Sequence, residues 1–354
     1  MAHRSSTIPG VVRSDSPVGQ ETFWRDGQLL VAEEAAENPT LPVELGGRDY
    51  ESAGGIRRYR LPDLDVEEVV GRVRDVPELH RLVSVNHLFA AQHRPPWYDH
   101  PHETYHFANF EKPTPALAGL PPRALEPAEP SVAVGVLDTA VENPWVRSRA
   151  ETIGGLTQDT SALPDDAAGH ADLVAGVVLS GAPNARLVVG QVMDPGGLVE
   201  EFQVIRALAR KELQECRVIV LAFAGYTADD TPPPALSAVL GRFGGDQVVV
   251  AAAGNGGHSR VRWPAGLAAV VSVGAVDSAA RIRWPYSDYG SWVDIWAPGV
   301  DIVSTYRARD SAVWSGTSAA AAMVCGAVAR LISEGHPPPS AVVRLVEQSI
   351  EYQA

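Results

Sequence analysis

Five short runs of almost uninterrupted apolar residues constrain the fold of this chain more than any other feature. They lie beyond residue 131 and read VAVGVLD, ARLVVGQVM, RVIVLAFAG, QVVVAAAG and AAVVSVGAV. Each has the length and β-branched content of a strand, and segments with helical spacing, such as residues 200–215, separate them. Strands that are apolar on both faces are typical of a parallel sheet covered by helices on each side. Residues 131–354 are therefore predicted to form one α/β domain with a doubly wound parallel sheet.

A second, smaller folded unit is predicted at residues 27–93. Three runs in it have strand composition, namely QLLVA, RRYRL and LVSVNHLF, at residues 28–32, 57–61 and 82–89. Between the last two, valines recur at helical spacing over residues 65–76, which predicts an amphipathic helix. The unit is thus a small α+β domain on the N-terminal side of the larger one.

The remaining segments have compositions that disfavour regular structure. Residues 1–26 are polar and are expected to be loose. Residues 94–130 contain nine prolines, which interrupt helices and central strands, so an extended linker is predicted there.

Charge and hydropathy restrict the partners and the compartment. The net charge of −14 argues against nucleic acid and anionic membranes as partners, because their phosphates attract Lys and Arg. No apolar run has the length of a signal-peptide core or a membrane span, so a cytoplasmic protein is expected. The two cysteines, Cys216 and Cys325, are too few for a disulfide framework and are predicted to be buried thiols.

Three reactive side chains follow apolar runs or open helices. Asp138 ends the first strand, His170 precedes an apolar helical run, and Ser318 begins a long Ala-rich helix. Catalytic groups in open α/β sheets gather at the carboxyl ends of the strands. A serine hydroxyl needs a base to take its proton, and an imidazole needs a carboxylate to fix its tautomer. Acid, base and nucleophile are all present.

The segments around these residues resemble the signature blocks of a known family. VLDT at Asp138, GHADLVAGV at His170, VVVAAAGN ending at Asn255, and SGTSAAAA at Ser318 resemble the four blocks of the subtilases. They occur in the family's order over residues 131–334. The resemblance implies a subtilisin-like fold and a serine endopeptidase that works through an acyl-enzyme. It also implies a catalytic triad of the three side chains, with Asn255 as oxyanion donor.

The same resemblance assigns the pocket for the substrate residue that precedes the scissile bond. One wall is Ala222, Phe223, Ala224 and Gly225, and the opposite wall is Ala253 and Gly254. Ala224 carries a methyl group where the family has glycine, and Phe223 is bulkier than the usual leucine. We therefore expect a pocket that favours small side chains.

The expected partners are a protein or peptide substrate and the chain's own N-terminal unit, and no cofactor or metal is expected. The order strand, strand, helix, strand in residues 27–93 is similar to the pro-domains of the family, which assist folding and block the cleft. A fixed accessory domain that is never removed is the alternative.

Three blocks depart from the usual family pattern. Ala140 stands where the family usually has glycine after Asp-Thr, and Ala171-Asp172 stands where it has Gly-Thr after the histidine. Residues 319–322, directly after Ser318, are all alanine, whereas the family usually has Met and Pro among them. Asp172 adds a carboxylate that is expected to raise the pKa of His170. No reacting group is lost, yet a degenerate member that binds peptides without cleaving them remains an alternative.

A zinc peptidase is the other alternative. His102-Glu103-Thr104-Tyr105-His106 fits the H-E-x-x-H pattern, in which two histidines on one helix face bind zinc and the glutamate acts as base. Pro101 and Pro113 leave room for only a short helix, and no third ligand is evident. The serine mechanism is therefore favoured.

Overall fold

The chain is seen here in a computed structural model. It describes residues 2–4, 10–15, 21–36, 38, 41, 45, 48–76, 78–90, 114–115, 131–155, 167–227, 229–277, 279, 282–307 and 309–349. The strands among them belong to an N-terminal antiparallel sheet, a central and mainly parallel sheet, and a three-stranded sheet. Within this described part, no helix is long and apolar enough to span a membrane.

The N-terminal unit is an antiparallel sheet with one long helix on its face. Its elements are β1 (Ala2–Arg4), β2 (Val11–Asp15), β3 (Glu21–Ala32), α1 (Glu33–Ala36), β4 (Tyr50–Ala53), β5 (Ile56–Arg60), α2 (Val66–Arg74) and β6 (Val83–Ala90). The strand order is β1-β2-β3-β5-β4, and β6 also pairs with β3. Helix α2 begins after Asp65, whose Oδ1 accepts hydrogen bonds from two backbone N–H groups of the first turn. The valines of α2 pack on Leu29 and Val31 of the sheet.

The expectation that residues 1–26 are loose is wrong for the part that the structure describes. Strands β1 and β2 and the start of β3 lie there. Val11, Phe23 and Trp24 are buried, and the hydroxyl of Thr22 donates to Ser14 O at 3.2 Å. A few apolar side chains on paired strands thus order a segment whose average composition is polar.

The rest of the chain supplies the other two sheets and adds one strand to the N-terminal sheet. Its strands are β7 (Thr114–Pro115), β8 (Ala133–Asp138), β9 (Ala150–Ile153), β10 (Arg186–Gln191), β11 (Leu198–Glu200), β12 (Val218–Leu221), β13 (Val248–Ala252), β14 (Val271–Asp277), β15 (Ile282–Arg283), β16 (Ile295–Pro298), β17 (Ile302–Tyr306) and β18 (Arg309–Trp314). Its helices are α3 (Pro144–Arg147), α4 (His170–Gly181), α5 (Glu201–Leu208), α6 (Lys211–Gln214), α7 (Pro234–Leu240), α8 (Thr317–Ser333) and α9 (Pro338–Gln348).

The central sheet has the order β15-β14-β13-β12-β8-β10-β9, with β16 paired to β14. All of its pairs are parallel except β14 with β15. Side chains of successive strand residues face opposite sides, so Val136 joins the core under α4 and α8, whereas Leu137 joins the core under α5 and α7. The predicted doubly wound α/β fold is confirmed. Both cysteines are free and buried, as predicted.

Residues 200–215 do not form the single helix that their spacing predicts. The segment divides into α5 and α6, because Arg210 has extended backbone angles of φ −73° and ψ 136°. An amphipathic pattern indicates which side of a helix faces the core, but it does not indicate where one helix ends and the next begins.

The N-terminal unit packs directly on the larger domain. Strand β6 pairs with β11 of that domain, from Ala90 opposite Leu198 to Leu88 opposite Glu200. Asn86 Oδ1 accepts a hydrogen bond from the backbone N–H of Phe202 in the first turn of α5, at 3.0 Å. The proline-rich segment contributes β7, which pairs with β18. The two predicted units therefore share one sheet and one buried boundary.

Candidate active site

A buried carboxylate and a buried imidazole meet at the carboxyl end of β8. Asp138 is the last residue of that strand, and its two carboxylate oxygens lie 2.7 and 2.8 Å from Nδ1 of His170. Asp138 is 0% exposed and His170 4%. The backbone N–H of Thr139 also donates to Asp138 Oδ1, at 2.7 Å. The carboxylate is therefore fixed, and it holds a proton on Nδ1 so that Nε2 is the basic nitrogen.

His170 is placed by the start of α4. It follows Gly169, which has a φ of +85°, and a Cβ on Gly169 would lie 2.5 Å from Arg307 Cγ. Only glycine fits this left-handed and crowded position. The imidazole meets the ring of Trp314 edge-on, with centroids 4.9 Å apart. Nε2 of His170 has no hydrogen-bond partner among the described residues.

Ser318 lies at the same edge of the sheet. It is in the first turn of α8 and is 1% exposed. Its hydroxyl donates to the carbonyl oxygen of Ala222 at 3.3 Å. Ala222 directly follows β12, which pairs in parallel with β8, so this carbonyl lies beside the end of the strand that carries Asp138. In the described structure the Ser318 hydroxyl is therefore hydrogen-bonded to Ala222 O rather than to the imidazole of His170.

Asn255 is oriented by its neighbour in the Ser318 motif. Its Oδ1 accepts hydrogen bonds from the backbone N–H of Thr317 at 2.9 Å and from the Thr317 hydroxyl at 2.7 Å. That hydroxyl in turn accepts from the N–H of Gly254 at 3.1 Å. The amide oxygen of Asn255 is thus occupied by Thr317. Its Nδ2 lies on the side of Gly316, where a Cβ added to that glycine would be 3.5 Å away. Thr317 was not singled out from the sequence, although it lies inside the Gly-Thr-Ser motif.

Asp172 makes hydrogen bonds that the sequence motif does not predict. Its Oδ1 accepts hydrogen bonds from the backbone N–H groups of Glu142 at 3.0 Å and Asn143 at 2.9 Å. Its Oδ2 accepts one from the backbone N–H of Arg307 at 3.0 Å. Burial raises the pKa of this carboxyl, and the three N–H donors oppose the rise. Asp172 therefore joins two loops beside α4, and its hydrogen bonds do not reach the imidazole of His170.

The predicted substrate-binding segment, residues 222–225, is covered on both edges. Ala224 and Ala90 exchange two backbone hydrogen bonds, of 3.0 and 3.1 Å, in an antiparallel bridge. Gly225 forms a second bridge with Trp263, with two bonds of 2.9 Å. The ring of Phe223 is buried and stacks on Phe89 of β6, with centroids 6.2 Å apart. An end of the N-terminal unit thus pairs with the segment that was predicted to line the substrate pocket.

The opposite wall of the predicted pocket lies against a charged pair. Ala253 is fully buried, and Gly254 has a φ of +115°. A Cβ on Gly254 would lie 2.5 Å from Arg262 Cδ and in contact with the Asp288 carboxylate. The two charged side chains fill the space behind this wall, and no sequence motif predicts that they lie there.

No cluster of three or more metal-ligating side chains occurs among the residues that the structure describes. The His102, Glu103 and His106 motif lies outside the described residues.

Comparisons with known proteins find similar sequences and a similar fold. A sequence model of the subtilase family matches residues 129–349. A thermophilic serine proteinase from Bacillus sp. (strain AK1) is 34% identical over 213 residues, which are 57% of this chain and 52% of the relative. Thermitase from Thermoactinomyces vulgaris is 30% identical over 226 residues, 60% of this chain and 80% of thermitase. The chain thus spans only about half the length of the first of these relatives.

Among solved structures, a cold-adapted subtilisin-like serine proteinase superposes with a TM-score of 0.53 at 25% identity. The superposition covers 62% of this chain and 82% of that protein.

Proposed function

Because the chain belongs to the subtilase family, we propose that it is a serine endopeptidase whose catalytic triad is Asp138, His170 and Ser318. The observation that carries the proposal is the buried Asp138–His170 pair at the carboxyl edge of the sheet, where α8 also brings Ser318. The open Nε2 of His170 is the base that a serine nucleophile requires.

The proposed reaction proceeds by acyl transfer. On substrate binding, Ser318 Oγ leaves Ala222 O and donates to His170 Nε2, since catalytic hydrogen bonds often form only in the complex. The hydroxyl oxygen attacks the scissile carbonyl carbon while Nε2 takes its proton. Asp138 stabilises the resulting imidazolium. Nδ2 of Asn255 and the backbone N–H of Ser318 donate to the oxyanion. His170 then protonates the leaving amine, and water hydrolyses the acyl-enzyme.

Labelling with a fluorophosphonate tests this assignment. The reagent phosphonylates a serine only where a base activates it, so we expect one adduct, on Ser318, located by peptide mass spectrometry. The His170→Ala variant should not react, because Ser318 then has no base. A protein that keeps its fold and takes up no label would refute the proposed function and favour a peptide-binding module.

We further propose that the N-terminal unit inhibits the peptidase domain. Ala90 makes with Ala224 the two backbone hydrogen bonds that an extended substrate would make. Buried polar contacts hold β6 in place, since His87 Nδ1 lies 2.6 Å from Glu201 Oε2. Apolar contacts add to them, because Phe89 belongs to the same buried cluster as Phe202. A peptide can pair with Ala224 only after the end of β6 has moved away.

Separating the two parts of the chain tests this inhibition. We expect residues 131–354, expressed alone, to cleave peptides faster per folded molecule than the full chain. Residues 1–93 added in trans should inhibit them. The same fragment with Ala90→Pro lacks the N–H that donates to Ala224, and loss of one hydrogen bond of about 1 kcal/mol should weaken inhibition roughly fivefold. Equal rates for the isolated domain and the full chain would show that the unit is only an accessory domain.

The proposed pocket for the residue before the scissile bond favours small side chains. The methyl group of Ala224 narrows the pocket at one wall. At the opposite wall, Arg262 and Asp288 fill the space behind Gly254. We expect fastest cleavage after Ala, Gly or Ser, and the Ala224→Gly variant should raise relative cleavage after Phe by roughly tenfold. The ratio of kcat/KM for Phe and Ala peptides measures this independently of folded yield. A wild type that already prefers Phe, Tyr or Leu would contradict the expectation.

A further inference from the structure

The loop that carries Asn255 is held on both sides by a single buried side chain. Asp288 donates its backbone N–H to Gly254 O at 2.8 Å, on one side of Asn255. On the other side, Asp288 Oδ1 accepts from the N–H groups of Gly256 at 3.0 Å and His258 at 2.8 Å. The backbone before and after Asn255 is therefore fixed to one residue of a distant segment.

From this arrangement we infer that Asp288 is a positioning residue that sets where Asn255 meets the oxyanion, and that Arg262 holds the Asp288 carboxylate in place. The inference rests on the proposed function, because it concerns the proposed oxyanion donor. Asp288 and Arg262 touch neither the substrate carbonyl nor Ser318 in this role.

The ion pair that supports the loop is almost completely buried. Arg262 is 4% exposed and Asp288 0%, and Arg262 Nε lies 2.5 Å from Asp288 Oδ2. One carboxylate oxygen thus faces the guanidinium while the other accepts the two loop N–H groups. Charged groups are buried at this depth only when they are paired with an opposite charge, and removing one partner leaves the other uncompensated.

The loop backbone lies directly against this pair. A Cβ on Gly254 would lie 2.5 Å from Arg262 Cδ, and one on Gly256 would contact the guanidinium of Arg262. A rearrangement of either charged side chain therefore changes the packing against the backbone that carries Asn255. A shift of about 1 Å in a group that stabilises the transition state can cost up to roughly 100-fold in rate.

The side chain of Asn255 is anchored separately from its backbone. Thr317 in α8 binds its Oδ1, while Asp288 binds the loop, so the donor nitrogen is aimed by two independent contacts. Arg262 also precedes Trp263, which pairs with Gly225 in the substrate-binding segment. The pair therefore links the oxyanion loop to the wall of the substrate pocket.

The inference is tested with two double variants that bury no charge. Arg262→Met with Asp288→Asn keeps an acceptor oxygen for Gly256 and His258, whereas Arg262→Met with Asp288→Leu removes it at nearly the same volume. The Asn version should have a lower kcat than wild type, because Arg262 no longer holds the side chain at position 288 in place. The Leu version should have a kcat roughly 10- to 100-fold lower than the Asn version at unchanged KM, and should react with a fluorophosphonate more slowly by a similar factor.

The same pair of variants in an Asn255→Ala background separates positioning from general damage. If Asp288 acts through Asn255, the Leu and Asn versions should differ there by less than about threefold, since no amide remains to be aimed. Two versions that differ as much without Asn255 as with it, or that have the same kcat with it, would overturn the inference. A wild type that takes up no fluorophosphonate would instead refute the proposed function. Melting temperatures of all variants ensure that folded proteins are compared.

Discussion

Replacement of Ser318 by alanine is expected to abolish peptide hydrolysis, with a loss in kcat of roughly 10⁶-fold. The reason is that the reaction has no nucleophile without Oγ, although His170 and the oxyanion donors remain. Initial rates on a chromogenic peptide at saturating concentration measure the loss. Ser315→Ala is the matched control, because Ser315 lies three residues earlier and its hydroxyl accepts from Asp301 N at 2.9 Å.

The Ser318 variant should keep its fold. Within the part of the chain that the structure describes, the Ser318 side chain makes one hydrogen bond, the 3.3 Å contact to Ala222 O, and losing such a bond costs about 1 kcal/mol. The melting temperature should therefore change by a few degrees at most. A folded Ser318→Ala protein that retains wild-type activity would show that another group is the nucleophile.

Removal of the Asn255 amide is expected to have the next largest effect. Asn255→Ala should lower kcat by roughly 10²- to 10³-fold with little change in KM, because the donor acts mainly in the transition state. Asn255→Asp is the sharper variant, since it keeps an oxygen for Thr317 and loses the N–H donor. Steady-state kinetics of both variants test the role. A higher KM with an unchanged kcat would mean that Asn255 serves binding or structure alone.

The central sheet was predictable because its strands are short, apolar on both faces and separated by helices. The site residues could be placed because each follows such a strand or opens a helix, as Asp138 and Ser318 do. Contacts between distant segments had no such signal. Asp172 meets Arg307 across 135 positions, and Asp288 reaches the loop of Asn255 from beyond β14 and β15. Neither contact follows from spacing or periodicity.

The N-terminal unit shows the same limit. Its helix and three of its strands follow from valine spacing and β-branched runs, whereas β1 and β2 are short and mostly polar. Whether these two strands form depends on the strands they pair with across the sheet, and composition alone does not reveal that pairing. The pairing of Ala90 with Ala224 is also invisible in the sequence, because both residues take part through backbone atoms only.

That backbone-only pairing has a consequence for the kind of protein that the enzyme would cut. An edge that binds N–H and C=O groups requires the substrate segment to be extended, and the side-chain pocket then selects among extended segments. In a compact protein such segments are already paired in its own sheets and helices, and they become accessible only when that region opens. The cleavage rate of a folded substrate should then follow the free energy of its local opening, so conformational stability would decide which proteins survive.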